Sequence, residues 1–149
     1  MTLAQALPAA AELFTPSALA GRWQVTRRIE DALAGGTARL AGEAVFSPDG
    51  EGLRYEESGT LTLPTGQSFA AAQSYLWRFD PLPRVLFADG RLFHAFDPAE
   101  PEAEIVHLCG GDLYRGRYRV SAEHWEAEWR VKGPRKDQQS LITYRRVLL

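Results

Sequence analysis

Residues 105–120 read IVHLCGGDLYRGRYRV. Ile105, His107 and Cys109 share one parity. After Gly110-Gly111, Asp112, Tyr114, Gly116 and Tyr118 share the next, with Arg115, Arg117 and Arg119 between them. Alternation at period two marks a half-buried strand, and a glycine pair between two such runs marks a tight hairpin. The gap is too short for a crossover helix, so the two strands must pair antiparallel.

The same grammar extends in both directions. Period-two runs cover Arg22–Asp31, Thr37–Ser47, Gly52–Leu63, Ser68–Asp80, Arg84–Asp89, Arg91–Asp97, Ala103–Cys109, Asp112–Val120, His124–Lys132 and Gln138–Leu148. Breakers separate them: Gly35-Gly36, Pro48-Asp49-Gly50, Pro64-Thr65-Gly66, Pro81-Leu82-Pro83, Asp89-Gly90 and Gly133-Pro134. About ten hairpin-linked strands make a meander, and rolling it into a tube removes its sticky edges. The expected fold is all-β: a single closed antiparallel up-and-down barrel.

Before it, Thr15-Pro16-Ser17-Ala18-Leu19-Ala20-Gly21 reads as cap, first-turn proline, one helical turn and a glycine stop. The chain thus divides into a short helical lead and plug, 1–20, and a barrel, 21–149. At 149 residues and 45% hydrophobic content it can close one sizeable core.

Parity also names the interior. Trp23, Val25, Arg27 and Ile29 share a face, as do Tyr55 and Glu57, Gln73, Tyr75 and Trp77, and Trp125, Ala127 and Trp129. The opposite parity is the more charged, as in Glu126, Glu128 and Arg130. An interior holding Arg27, Glu57, Gln73, His107 and Asp112 is unusual, since each buried polar group needs a partner or costs roughly 1–3 kcal/mol. Such a lumen is expected to be a polar-lined cavity wide enough for a ligand.

Seventeen basic and 19 acidic residues, interspersed, leave a net charge of −2, so no electrostatic footprint for nucleic acid or an anionic membrane is present. Cys109 is the only cysteine, which excludes an intramolecular disulfide and fits a reducing, cytoplasmic compartment. The alanine-rich start, Met1 to Phe14, has no positive residue, and no stretch has the apolar length of a membrane span.

His94, His107, Cys109 and Asp112 are types that ligate metals, but no CxxC or HxxxH spacing reinforces that chemistry, and the bland alternative is a bonded histidine beside a small buried thiol. Cys109 as a nucleophile would need His107 or His94 as base, yet it ends a strand rather than opening a helix. Arg135 and Lys136, beside Gly133-Pro134, offer cations at a barrel mouth or simply a solvated turn. Trp77 and Trp129 either stack on a planar ligand or fill core.

Gly21-Arg22-Trp23 at the first strand and Arg145-Arg146 in the last resemble the calycin superfamily signature, in which a Gly-x-Trp tryptophan is covered by an arginine of the closing strand. The connector Ala32–Gly36 leaves no room for the helical lid of fatty-acid-binding proteins. Phe93-His94, residues 107–114, Gly133-Pro134-Arg135-Lys136-Asp137 and Tyr144-Arg145-Arg146 resemble more specifically a bacterial family of unknown function, DUF6314. That resemblance implies a calycin-like (lipocalin-like) barrel from Gly21 onward and a site made by His94, His107, Cys109, Asp112, Tyr114, Arg135 and Lys136.

These readings lead to a binding or sensing barrel for a small amphipathic or aromatic molecule with an anionic group. Arg27, Arg135 or Lys136 would meet the charge; His94, His107, Asp112 and Tyr114 would orient the molecule; Trp77 and Trp129 would supply apolar walls; and Cys109, Glu57 and Tyr75 complete the expected set of ligand-binding residues. The alternative is a cofactor-free isomerase, dehydratase or cyclase using a histidine and a carboxylate, and after it a haem-binding barrel. No resident metal or cofactor is expected. The expected partner is a small molecule, with neither nucleic acid nor membrane, and a homodimer is left open.

Overall fold

Turn residues cut the chain where the alternation stops. In the computed structural model, which describes residues 6–148, two short helices, α1 (Ala10–Leu13) and α2 (Pro16–Leu19), precede ten strands. These are β1 (Gly21–Asp31), β2 (Thr37–Asp49), β3 (Gly52–Thr62), β4 (Ser68–Arg78), β5 (Arg84–Phe87), β6 (Leu92–Ala95), β7 (Ile105–Cys109), β8 (Asp112–Val120), β9 (His124–Gly133) and β10 (Lys136–Arg146). Gly110, at φ +61°, supplies the left-handed residue that the two-residue β7–β8 hairpin demands. The part of the helical lead expected over residues 1–5 lies outside the described residues.

The strands form one antiparallel sheet in the order β6-β5-β4-β3-β2-β1-β10-β9-β8-β7. First and last strands pair from Trp23↔Arg146 to Asp31↔Gln138, which rolls the meander into a barrel. Closure is nearly complete: β6 and β7 are the two ends of the sheet and approach each other without a ladder among the described residues. The connector between them, residues 96–104, is too long for a tight hairpin, so this pair, unlike its neighbours, is not forced into register.

One local difference from the simple alternation matters. β5 and β6 are shorter than the period-two runs, and their register slips between Val85 and Leu86: Val85 faces His94 and Leu86 faces Leu92. Phe93 is the unpaired residue of this bulge. Both Phe93 and His94 consequently turn toward the lumen, which strict alternation forbids.

The plug works as the local chemistry requires. Thr15 caps α2, its Oγ1 accepting from the Ala18 N–H at 3.3 Å with Pro16 in the first turn. Leu13, Phe14 and Leu19 are buried at the floor of the barrel. Phe14 packs edge-on against Trp125 at 5.5 Å and against Phe96 at 5.0 Å. Trp23, fully buried, donates its indole N–H to the Leu19 carbonyl at 2.9 Å. The Arg146 guanidinium lies 4.0 Å over the Trp23 ring, and it donates to the carbonyls of Ala20 at 3.0 Å and of Ala18. The tryptophan-covering arginine of the calycin pattern is therefore Arg146. No helix among the described residues is long and apolar enough to cross a membrane.

Candidate functional site

Above this floor the lumen holds a cavity of about 270 Å³. Its apolar wall comes from β4, β6 and β9. Phe93 stacks on Trp129 at 5.1 Å, and Trp77 closes the wall toward the plug. Trp129 lies flat because its cross-strand partner is Gly116: a Cβ there would sit 2.5 Å from the indole Cε3. The missing side chain on β8 is thus what keeps the indole against the wall and the lumen open.

The polar wall is built around Glu57, 3% exposed. Period two on β3 brings Tyr55 and Glu57 inward together, the ladder sets Gln73 of β4 opposite Glu57, and β1 and β10 contribute Arg27 and Tyr144. Arg27 Nη2 donates to Glu57 Oε1 at 3.0 Å, and the Tyr55 hydroxyl donates to the same oxygen. Gln73 Nε2 donates to Oε2 at 3.0 Å, and the Tyr75 hydroxyl donates to Gln73 Oε1 at 3.3 Å. Tyr144 and Tyr55 hydroxyl oxygens lie 3.0 Å apart. Burial first, then the neighbouring Tyr144 and Glu57 charges, pushes the Tyr55 phenol well above its ordinary value. Burial raises Tyr144 and Tyr75 as well.

Across the lumen, His94 is buried and its Nε2 meets the Tyr118 hydroxyl at 2.7 Å, while its Nδ1 has no partner among the described residues. Burial, helped by the nearby charge of His107, lowers its pKa from 6.5 to about 3, so the ring is neutral. Burial also raises Tyr118. The Trp125 indole N–H is likewise buried and unpartnered. Two unmet polar atoms beside one cavity are a local demand for hydrogen-bond partners.

The nominated residues separate into three groups. Arg27, Tyr75, Trp77, His94, Tyr114 and Trp129 line the cavity, and Glu57 stands directly behind Arg27 and Gln73. His107 sits at the β6–β7 seam, edge-on to Phe93 at 5.3 Å. Cys109, Arg135 and Lys136 are exposed at hairpin ends, and Asp112 pairs with Lys136 at 3.5 Å. Among the described residues no three His, Cys, Asp or Glu side chains gather as metal ligands. Phe93, Tyr55, Tyr118 and Tyr144 were not nominated. Inward parity carried the signal for Tyr55 and Tyr118, whereas nothing in the alternation marks Phe93.

No curated protein matches the chain. Its fold is similar to that of the S-type phycobiliprotein lyase CPES from Guillardia theta, with a TM-score of 0.65 and 10% identity over 95% of this chain and 94% of that one. A de novo designed fluorescence-activating β-barrel aligns more loosely, at a TM-score of 0.42 and 16% identity over 93% of this chain and 99% of its own. The model of a family of unknown function, DUF6314, matches residues 19–146. The chain belongs to that family, and its fold is a nearly closed calycin-like barrel.

Proposed function

We propose that this barrel binds one small, largely aromatic molecule in its lumen. The observation that carries the reading is Trp129 laid flat over Gly116, which holds space open inside a barrel otherwise rich in aromatic side chains. At about 270 Å³ the cavity lies at the small end of ligand pockets, which start near roughly 300 Å³. A mono- or bicyclic ring system suits it, and a haem macrocycle does not. The similarity to a lyase supports the fold and not the reaction.

The acid–base alternative is weaker. General acid–base groups work best with pKa values near the working pH, whereas His94 is held at about 3 and the buried tyrosines are pushed up. A fully anionic ligand is also poorly served. Arg135 and Lys136 are exposed at the hairpin, and the charge of Arg27 is offset by Glu57.

Gly116→Val drives the Trp129 indole into the lumen. Titration with 2-naphthol, followed by protein fluorescence, is expected to show a loss of affinity of about tenfold or more in this variant with the β-sheet circular dichroism unchanged. A folded Gly116→Val protein that binds as the wild type does would remove the lumen from consideration.

A further inference from the structure

The hydrogen bonds around Glu57 fix which of the neighbouring groups donate and which accept. A phenol has one O–H. The Tyr55 proton goes to Glu57 Oε1, so in the 3.0 Å contact between Tyr55 and Tyr144 the donor must be Tyr144. Gln73 turns its amide N–H to Glu57 Oε2, which leaves its oxygen outward to accept the Tyr75 proton at 3.3 Å. Each of these three hydroxyl protons is directed toward the same carboxylate, one directly and two through an intermediary. All three tyrosines line the cavity, and what their oxygens have left to offer it is lone pairs.

Resting on the reading of the lumen as a ligand site, we infer that the cavity selects its ligand by a neutral hydrogen-bond donor, a hydroxyl or amide on a small aromatic frame, and discriminates against carboxylates. On the acceptor side of the ligand, Arg27 and the unpartnered Trp125 indole N–H complete the recognition. One of the Arg27 N–H groups serves Glu57 at 3.0 Å, and its remaining donors suit the acceptor side of the same ligand group. A hydroxyl both gives a proton to a tyrosine oxygen and takes one from the guanidinium. A carboxylate gains the guanidinium contact but brings its own lone pairs against the tyrosine oxygens and its charge toward Glu57. The raised phenols point the same way: burial is the main cause and the Glu57 charge adds to it, and both disfavour any other anion placed there.

Three ligands with one ring system separate the contributions: 2-naphthol, 2-methoxynaphthalene and 2-naphthoate, titrated at pH 7 against the full chain by protein fluorescence. The naphthol is expected to bind about tenfold more tightly than the ether, and the naphthoate more weakly than either. Tyr75→Phe, at a half-buried position, removes one acceptor; it is expected to bring the naphthol toward the ether and to leave the ether unchanged. Glu57→Gln, if folded, is expected to narrow the gap between naphthol and naphthoate. Equal affinities, or tightest binding of the naphthoate, overturn donor selection and leave the lumen as the ligand site. Failure of all three to bind removes both.

Discussion

With its guanidinium over the Trp23 ring and its N–H groups on the Ala18 and Ala20 carbonyls, Arg146 ties the closing strand to the plug. Truncation leaves two carbonyls and an indole face without their partner. Arg146→Ala is expected to cost about 2–3 kcal/mol in urea unfolding, and Arg146→Lys to recover less than half of that, because an ammonium cannot fork between two acceptors while stacking. This contact was legible because both partners sit in a recognisable residue pattern, Gly-x-Trp and a late arginine. The partnership of His94 with Tyr118 was not. The two residues are 24 apart on strands that share no ladder, so no local spacing announces it.

At the level of strands, the seam between β6 and β7 is the weak line. Every other strand edge is laddered, whereas here contact is made by side chains, Phe93 against His107 at 5.3 Å and against Tyr114 at 5.7 Å. Amides of Leu92–Ala95 and Ile105–Cys109 are therefore expected to exchange with solvent about tenfold or more faster than those of β1 and β2 in hydrogen-exchange measurements. Equal protection throughout would mean that the seam is as cohesive as the ladders. Turn chemistry made all ten strands readable to within about two residues at each end, although β2 runs on through Pro48 and Asp49 and β10 begins at Lys136, two residues before the expected Gln138. The bulge escaped because its cause is cross-strand register: nothing along Leu92–Phe96 says that Phe93 has no partner. The end of the strand at Cys109 was legible, but its parity placed the thiol with the inward set, whereas at the last residue before the turn it lies in solvent.

For the molecule as a whole, His94 links stability to pH. Folded, its pKa is about 3; unfolded, it reverts to about 6.5, so below that value the unfolded chain takes up a proton that the native state refuses. Its contribution is complete above about pH 6.5 and is lost as the pH falls toward 3, at up to about 1.4 kcal/mol per unit. His94→Phe leaves the Tyr118 hydroxyl without its partner and is expected to be less stable at pH 7, yet with a shallower fall in unfolding free energy between pH 7 and 4. Parallel falls in the two proteins would show that His94 does not contribute to the acid sensitivity.

Leu13 and Phe14, which stop the bottom of the barrel, lie upstream of the first residue matched by the family model, 19. The depth of the vessel is accordingly set by a segment separate from its staves. Phe14 touches Trp77, Tyr118 and Trp125, the lining residues nearest that end. Editing this cork alone would lengthen or shorten the chamber while every strand, and the lock of Arg146 on Trp23, stayed as it is. The length of guest admitted and the chemistry that greets it are thereby written in different parts of the chain.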